Sequence, residues 1–394
     1  MRRGGCDKVF EVEGRRFLVV GLGETGTAVA EALVERGATV RGTDLKPLDE
    51  LGPKARGLAG RGVELVLGGH PLSCLDGVDF VVVSPGVRKD ISLLDEARRR
   101  RIPVLGELDL AYMLAPRPVC AVTGTNGKGT TVYLAAHLLE EAGMRCVVAG
   151  NDTDRVLIEA MLSEPPDVLV VAELSSYQLE GASEFRAAAS CVLNVKPEHA
   201  DHHASFEEYA SAKGRLVELT APDGVAVLNA DDPVVAGFAR RARCEVWWFS
   251  ASGREGAHAR AERGRIELRA GDVEGGVSLC GFKLPGRHNL ENAMAAALLA
   301  VRFGATLEAI ERGLRTFGGL PHRLEVVGEL GGVKFVNDSK ATNPFAAVAA
   351  LEAVGGPVLL LAGGKGKGAD FGPMAEAAKG GSGERSCSAR RGRS

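Results

Sequence analysis

Lys128 lies within Gly124-Thr125-Asn126-Gly127-Lys128-Gly129-Thr130-Thr131, after the apolar run 119–122 and before a helical stretch. Strand, glycine loop with lysine, and helix in that order form a phosphate-binding arrangement. Glycines let backbone N–H groups close on phosphate oxygens, the lysine brings a point charge, and the helix N-terminus adds its dipole. An ordinary glycine turn does not account for that order. The residue after such a lysine is usually Ser or Thr, whose hydroxyl ligates Mg²⁺. Here it is Gly129, and the hydroxyls follow at Thr130 and Thr131.

Other stations lie along the chain. Gly21-Leu22-Gly23-Glu24-Thr25-Gly26 follows a strand and opens a helix, and Asp44 closes the next strand at the distance of a ribose-binding acid. By itself this suggests NAD, but a second nucleotide loop downstream makes a nucleotide-linked substrate an equal reading. Ser84-Pro85-Gly86 ends a strand of the same unit, where open α/β sheets bind ligands, although a plain turn has the same composition. Glu173 ends the run 168–172, a place from which a sheet presents a carboxylate to Mg²⁺. Pro197-Glu198-His199-Ala200-Asp201-His202-His203 is dense in imidazoles and carboxylates. It lacks nearby cysteines and helical His-x₃-His spacing, and a phosphate loop favours hard magnesium over zinc. Lys213 reads from composition as a surface lysine. Asn337-Asp338-Ser339-Lys340-Ala341-Thr342-Asn343 joins a strand end to a helix start, with Asn343 as cap and Pro344 at the first helical position.

The elements that must position these groups alternate in the manner of α/β units with parallel sheets. Strands are expected at 17–20, 39–43 and 80–83 around a helix at 25–36, then at 120–123, 168–172 and 191–195 before a helix at 206–219. A third segment reads as one βαβ unit, with strands at 334–336 and 358–361 and a helix at 345–353. The 394 residues suggest three domains. Their expected bounds are a Rossmann-like unit at 1–106, a central nucleotide unit at 107–319, a partial third unit at 320–378 and a disordered basic tail at 379–394. Forty-eight basic and 51 acidic residues leave a net charge of −3, which argues against a nucleic-acid surface spread over the molecule. Eight scattered cysteines without Cys-x-x-Cys spacing suit buried thiols in a reducing cytoplasm. No apolar run approaches the roughly 20 residues that span a bilayer, so no membrane partner is expected.

In this order the stations resemble the Mur ligase family over 14–371. The resemblance is carried by GTNGK, ELSSYQLE, LNVKPEHADHH with EEYASAK, GRHNLENA, GLPHR and NDSKATN. The loop at Gly21 and the NDSKATN segment are similar to those of its D-glutamate-adding branch. The resemblance implies three α/β domains: a Rossmann-like UDP-binding unit, a central P-loop-type ATPase, and a Rossmann-like C-terminal unit that is incomplete here. It implies ATP, Mg²⁺ and a CO₂-derived carbamate on Lys213 as cofactors. The implied activity is amide formation between D-glutamate and UDP-N-acetylmuramoyl-L-alanine through an acyl phosphate in peptidoglycan precursor synthesis, by a cytoplasmic monomer.

Residue by residue, the resemblance assigns ATP to Gly124, Thr125, Asn126, Gly127, Lys128, Gly129, Thr130, Asn151, Asn289, Asn292, Arg323 and Asp338. It assigns the UDP substrate to Gly23, Thr25, Gly26, Asp44, Lys46, Ser84, Pro85 and Gly86, and D-glutamate to Thr342 and Lys367. Metal falls to Thr130, Glu173, His199 and carbamylated Lys213, and catalysis to Lys128, Lys213, His199 and Lys340. The chain departs from the family pattern at Gly129, at the acidic turn Asn151-Asp152-Thr153-Asp154, and after Phe371. An added acid near phosphates should weaken nucleotide binding unless a cation offsets it. A lone βαβ unit should leave apolar faces uncovered and be marginally stable. The alternatives are a weakly active remnant that only binds nucleotides, and an NAD-dependent oxidoreductase that makes no use of Lys128.

Overall fold

The computed structural model describes residues 9–198, 202–364 and 369–379, and the backbone of 386–390. The first unit is a five-stranded parallel sheet, ordered β3-β2-β1-β4-β5. Its strands are β1 (Arg16–Val20), β2 (Thr39–Asp44), β3 (Glu64–Leu67), β4 (Phe80–Val83) and β5 (Val104–Gly106). The order reverses between β1 and β4, so the loops after these strands diverge and open a crevice at the carboxyl edge. Apolar β1 and β4 are covered on both faces, as the near-continuous runs FLVV and FVVV require.

The middle unit is a nine-stranded sheet in the order β14-β13-β12-β11-β10-β9-β6-β8-β7. The strands are β6 (Val119–Thr123), β7 (Cys146–Gly150), β8 (Leu169–Glu173), β9 (Ala187–Val192), β10 (Thr220–Asn229), β11 (Glu245–Ser250), β12 (Ala259–Glu262), β13 (Arg265–Ala270) and β14 (Val273–Ser278). From β7 through β12 neighbouring strands are parallel, and β12-β13-β14 run antiparallel. Helix Lys128–Glu141 lies in the core beneath helix Arg287–Arg302, whose alanines 295–297 are fully buried. Small side chains permit this close approach. A Cβ on Gly313 of helix Leu307–Thr316 would come within 2.5 Å of Leu138.

The third segment differs from the expected βαβ unit. β15 (Glu325–Leu330) and β16 (Val333–Asn337) form an antiparallel hairpin across the tight turn at Gly331 and Gly332, both left-handed. Helix Pro344–Val354 follows, with Asn343 capping the Ala346 N–H as expected. β17 (Leu359–Gly363) does not join β16. It pairs in parallel with β18 (Ser386–Arg390), so part of the stretch read as a disordered tail is a strand. Pairing along an open sheet edge uses backbone groups and needs no apolar side chains, which composition alone does not register. Leu330 (76 %), Phe335 (52 %) and Leu361 (77 %) are exposed, as uncovered faces of two-stranded sheets must be. Cys120 and Cys191 are buried as expected, whereas Cys280 is exposed. Among the described residues no helix is long and apolar enough to cross a membrane.

One buried carboxyl joins the middle unit's elements. Glu107 opens helix Glu107–Leu114 and accepts from the Ile158 N–H (3.1 Å) and from Gln178 Nε2 (3.4 Å). Burial pushes its pKa up to about 7. Between its unfolded value of 4.5 and about 7 the folded chain therefore holds a proton that the unfolded chain has released. Stability attributable to this group must fall as pH rises through that window, by on the order of 3 kcal/mol at most. Urea unfolding at pH 5 and pH 8 should show a smaller pH-dependent loss for Glu107→Gln than for the wild type.

Candidate functional site

The glycine loop connects β6 to helix Lys128–Glu141 and turns at Gly127, whose φ of +87° is left-handed. A Cβ there would lie 2.4 Å from Asn292 Oδ1 and 3.3 Å from Leu193, so glycine is required by space as well as by conformation. The loop is held from below. Asn194 Oδ1 accepts from the Asn126 N–H (2.9 Å), while Asn194 Nδ2 donates to the Asn126 carbonyl (3.0 Å). Thr125 Oγ1 meets the Tyr209 hydroxyl (3.0 Å) and accepts from the Lys196 N–H (2.9 Å). Asn292 accepts from Thr131 Oγ1 (3.2 Å) and donates to Asn289, which in turn donates to the Pro285 carbonyl. Asn289 and Asn292 are thus buried braces of the loop. Lys128 Nζ bends back to the Thr125 carbonyl (3.2 Å).

Two buried ionisable groups face this loop. Glu173 ends β8 at 2 % exposure; its Oε1 accepts from Asn151 Nδ2 (3.1 Å), and its Oε2 is buried with no hydrogen-bond partner. Burial raises its pKa, opposed by the nearby Lys128 cation. That oxygen points toward the loop, 3.3 Å from where a Cβ on Gly129 would sit. An orphaned carboxylate oxygen beside a phosphate loop is the donor a hard divalent cation takes. Lys213, on helix Phe206–Glu218, is 2 % exposed. Its Nζ lies 2.8 Å from the Gly124 carbonyl and 4.7 Å from the centre of the Tyr209 ring. Burial, then the Lys128 charge, lower its pKa well below the ordinary lysine value, so the amine is readily neutral. The surface lysine suggested by composition is one of the most enclosed side chains in the molecule.

The third segment reaches the same mouth. Asn343 Nδ2 donates to Asn126 Oδ1 (2.9 Å) and to Glu198 Oε1 (3.0 Å). Lys340 Nζ lies 2.5 Å from Asp152 Oδ1, and Arg323 Nη2 lies 3.7 Å from Asp152 Oδ2. Asp338 accepts from the Leu324 N–H (3.0 Å), and burial raises its pKa. Thr130 is buried at the loop, whereas Thr342 is exposed. His199 and Lys367 lie outside the described residues. Asn194 and Asn343 were not singled out as site residues from the sequence. Asn194 sits within the LNVKPEHADHH stretch, and Asn343 was read only as a cap, because a capping role accounts for it locally.

The first unit carries its own polar edge. Asp44 accepts from the Leu22 N–H (2.6 Å) and the Lys46 N–H (2.9 Å), and Ser84 Oγ donates to the Gly21 carbonyl (2.7 Å). A Cβ on Gly26 would come within 1.8 Å of the Gly21 carbonyl oxygen, while Gly23 has open space. Lys46, Pro85 and Gly86 lie in the loops that follow β2 and β4, and Thr25 lies in the first turn of helix Glu24–Val34 after β1, all at the same carboxyl edge of the sheet. Glu180, His202 and His203 bring one carboxylate and two imidazoles within 4.8 Å of one another. Lys89 Nζ lies 3.3 Å from the Glu180 oxygen that also meets His202 Nε2, so this group ties the first unit to the middle one with its charge already opposed.

A dinucleotide-type first unit, a glycine-loop sheet and a third segment leaning over the loop define a three-part α/β nucleotide-binding architecture. Residues 122–300 match the Mur ligase middle domain, 15–106 the Mur ligase MurD-like N-terminal domain, and 322–385 the Mur ligase glutamate ligase domain. The UDP-N-acetylmuramoylalanine–D-glutamate ligase of Pelotomaculum thermopropionicum is 42 % identical over 379 residues, covering 93 % of this chain and 80 % of its own. That of Caldanaerobacter subterraneus subsp. tengcongensis is 41 % identical over 361 residues, covering 92 % and 79 %. A pseudomurein peptide ligase type C from Methanothermus fervidus shares the fold, with a TM-score of 0.55 at 20 % identity over 96 % of this chain and 88 % of that one. The chain belongs to the Mur ligase family, and within it to the UDP-N-acetylmuramoylalanine–D-glutamate ligases.

Gly127→Ala should lower thermal stability, by about 1–3 kcal/mol, because it adds both strain and a clash. Gly23→Ala should leave thermal stability unchanged, and differential scanning of the two variants checks the contrast.

Proposed function

We propose that this chain joins the amine of D-glutamate to the terminal alanine carboxylate of UDP-N-acetylmuramoyl-L-alanine with consumption of ATP, as a step of peptidoglycan precursor synthesis. The observation that carries the reading is the orphaned Glu173 oxygen facing the glycine loop: a carboxylate and a phosphate cradle set to share one cation. Glu173, Thr130, His199 and a carbamylated Lys213 are the groups that would hold Mg²⁺. When bound, Mg²⁺ supplies neutralisation of phosphate charge.

The carboxylate resists direct attack by an amine, so it first takes the γ-phosphoryl of ATP to form an acyl phosphate and ADP. The glutamate amine then attacks the acyl carbon, phosphate leaves, and the amine proton is released. The loop N–H groups, Lys128 and Arg323 orient and neutralise the phosphates. Asn151 supports Glu173, while Asn289 and Asn292 hold the loop rigid. Gly23, Thr25, Gly26, Asp44, Lys46 and Ser84 to Gly86 take the UDP portion at the first sheet's carboxyl edge. Lys340, Thr342 and Lys367 take the amino-acid substrate, and Asp338 keeps Arg323 oriented. Lys213, as a neutral buried amine, adds to CO₂ with loss of a proton, and the carbamate completes the carboxylate set. In this reading the chain acts as a monomer. UDP-linked substrates and ATP support work in the cytoplasm.

Phosphate release from ATP should require UDP-N-acetylmuramoyl-L-alanine and D-glutamate together; release independent of D-glutamate would sink the assignment. Activity should fall by at least a hundredfold in Lys213→Ala. In CO₂-depleted buffer the wild type should lose activity and regain it with bicarbonate, with a ¹³C carbamate signal tracking the recovery.

A further inference from the structure

Gly129 and Asp152 meet at one side chain of the third segment, Arg323. Gly129 leaves open the volume in which a Cβ would lie 2.8 Å from Arg323 Nη2, so the guanidinium rests against the loop where a side chain would otherwise stand. The same nitrogen faces Asp152 Oδ2 at 3.7 Å, and that carboxylate holds Lys340 Nζ at 2.5 Å. Asp152 belongs to the turn after β7 in the middle unit, while both cations belong to the third segment. The φ of Asp152, +45°, is left-handed, a backbone state that Asp and Asn enter more readily than most residues. Neighbouring Asp154 is directed elsewhere, accepting from the Tyr133 hydroxyl at 3.2 Å.

Resting on the nucleotide site proposed above, we infer that Asp152 is a built-in anionic competitor that sets ligand affinity. It occupies Arg323 and Lys340 before the anionic substrates arrive, and Gly129 provides the seat that lets Arg323 reach it. ATP must displace the carboxylate from Arg323 or share the cation with it. Either way a fixed negative charge opposes the incoming phosphate at close range, with part of its effect screened because Asp152 and Lys340 are each over 40 % exposed at the side chain.

The test is direct binding of a non-hydrolysable ATP analogue with Mg²⁺ to the full chain, by titration calorimetry, for wild type, Asp152→Asn and Asp154→Asn. Asparagine keeps the left-handed turn and the size of the side chain and removes only its charge. Asp152→Asn should bind the analogue about three- to tenfold more tightly, and Asp154→Asn should match the wild type. A structural defect moves affinity the other way, so tighter binding cannot arise from damage. Equal or weaker binding by Asp152→Asn, with the wild type binding normally, overturns this inference alone. A wild type that does not bind the analogue overturns the nucleotide-site reading, and this inference with it.

Discussion

The left-handed turn at Gly127, pressed against Asn292, is the constraint from which the rest of the middle unit follows. A loop turned this tightly cannot satisfy its backbone groups internally, so its shape is imposed from outside. Asn194 and Lys196 from the segment after β9, Tyr209 from helix Phe206–Glu218 and Asn292 from helix Arg287–Arg302 impose it through hydrogen bonds. The long parallel sheet and the alanine-rich helix Arg287–Arg302 bring those elements close enough to do so. Packing here serves positioning, and the smallest side chains lie where approach is closest.

Charge around that loop is arranged with uneven exposure. Glu173 and Lys213 are almost wholly buried, and burial works against the charged form of each. An amine whose charged form burial disfavours and a carboxylate with one oxygen unpartnered thus flank the same loop. Asp152, Arg323 and Lys340 are partly exposed and already paired. Buried groups keep their places, whereas partly exposed pairs can exchange partners.

The first unit meets the middle one through a shared buried apolar core, in which helix Glu24–Val34 packs against helix Leu157–Ser163, whereas the third meets it largely through polar contacts. Lys89 on Glu180 adds an ion pair at the first junction, and Asn343 and Lys340 tie in the third segment. Such contacts are individually weak in water and can part and re-form, as closure around charged substrates requires. The exposed apolar residues of β15 to β17 set this third segment apart from the closely packed middle unit.

The phosphate loop, the Gly21 turn and the family were legible in the chain itself, because strand, loop and helix are local and their periodicities and glycines are written in consecutive residues. Glu173 was also legible, since a carboxylate at the end of an apolar run marks the edge of a sheet. Lys213 was not: its burial depends on Gly124 and Tyr209 arriving from β6 and from its own helix, and composition read it as a surface residue. The pairing of β17 with β18 and the hairpin of β15 with β16 replaced an expected βαβ unit for a related reason, because strand partners are chosen by nonlocal backbone pairing that propensity does not encode. The meeting of Gly129, Arg323 and Asp152 lay beyond sequence reasoning as well. Each residue alone is a departure or a surface charge, and only their convergence in space gives the charge a counterion and the glycine a purpose.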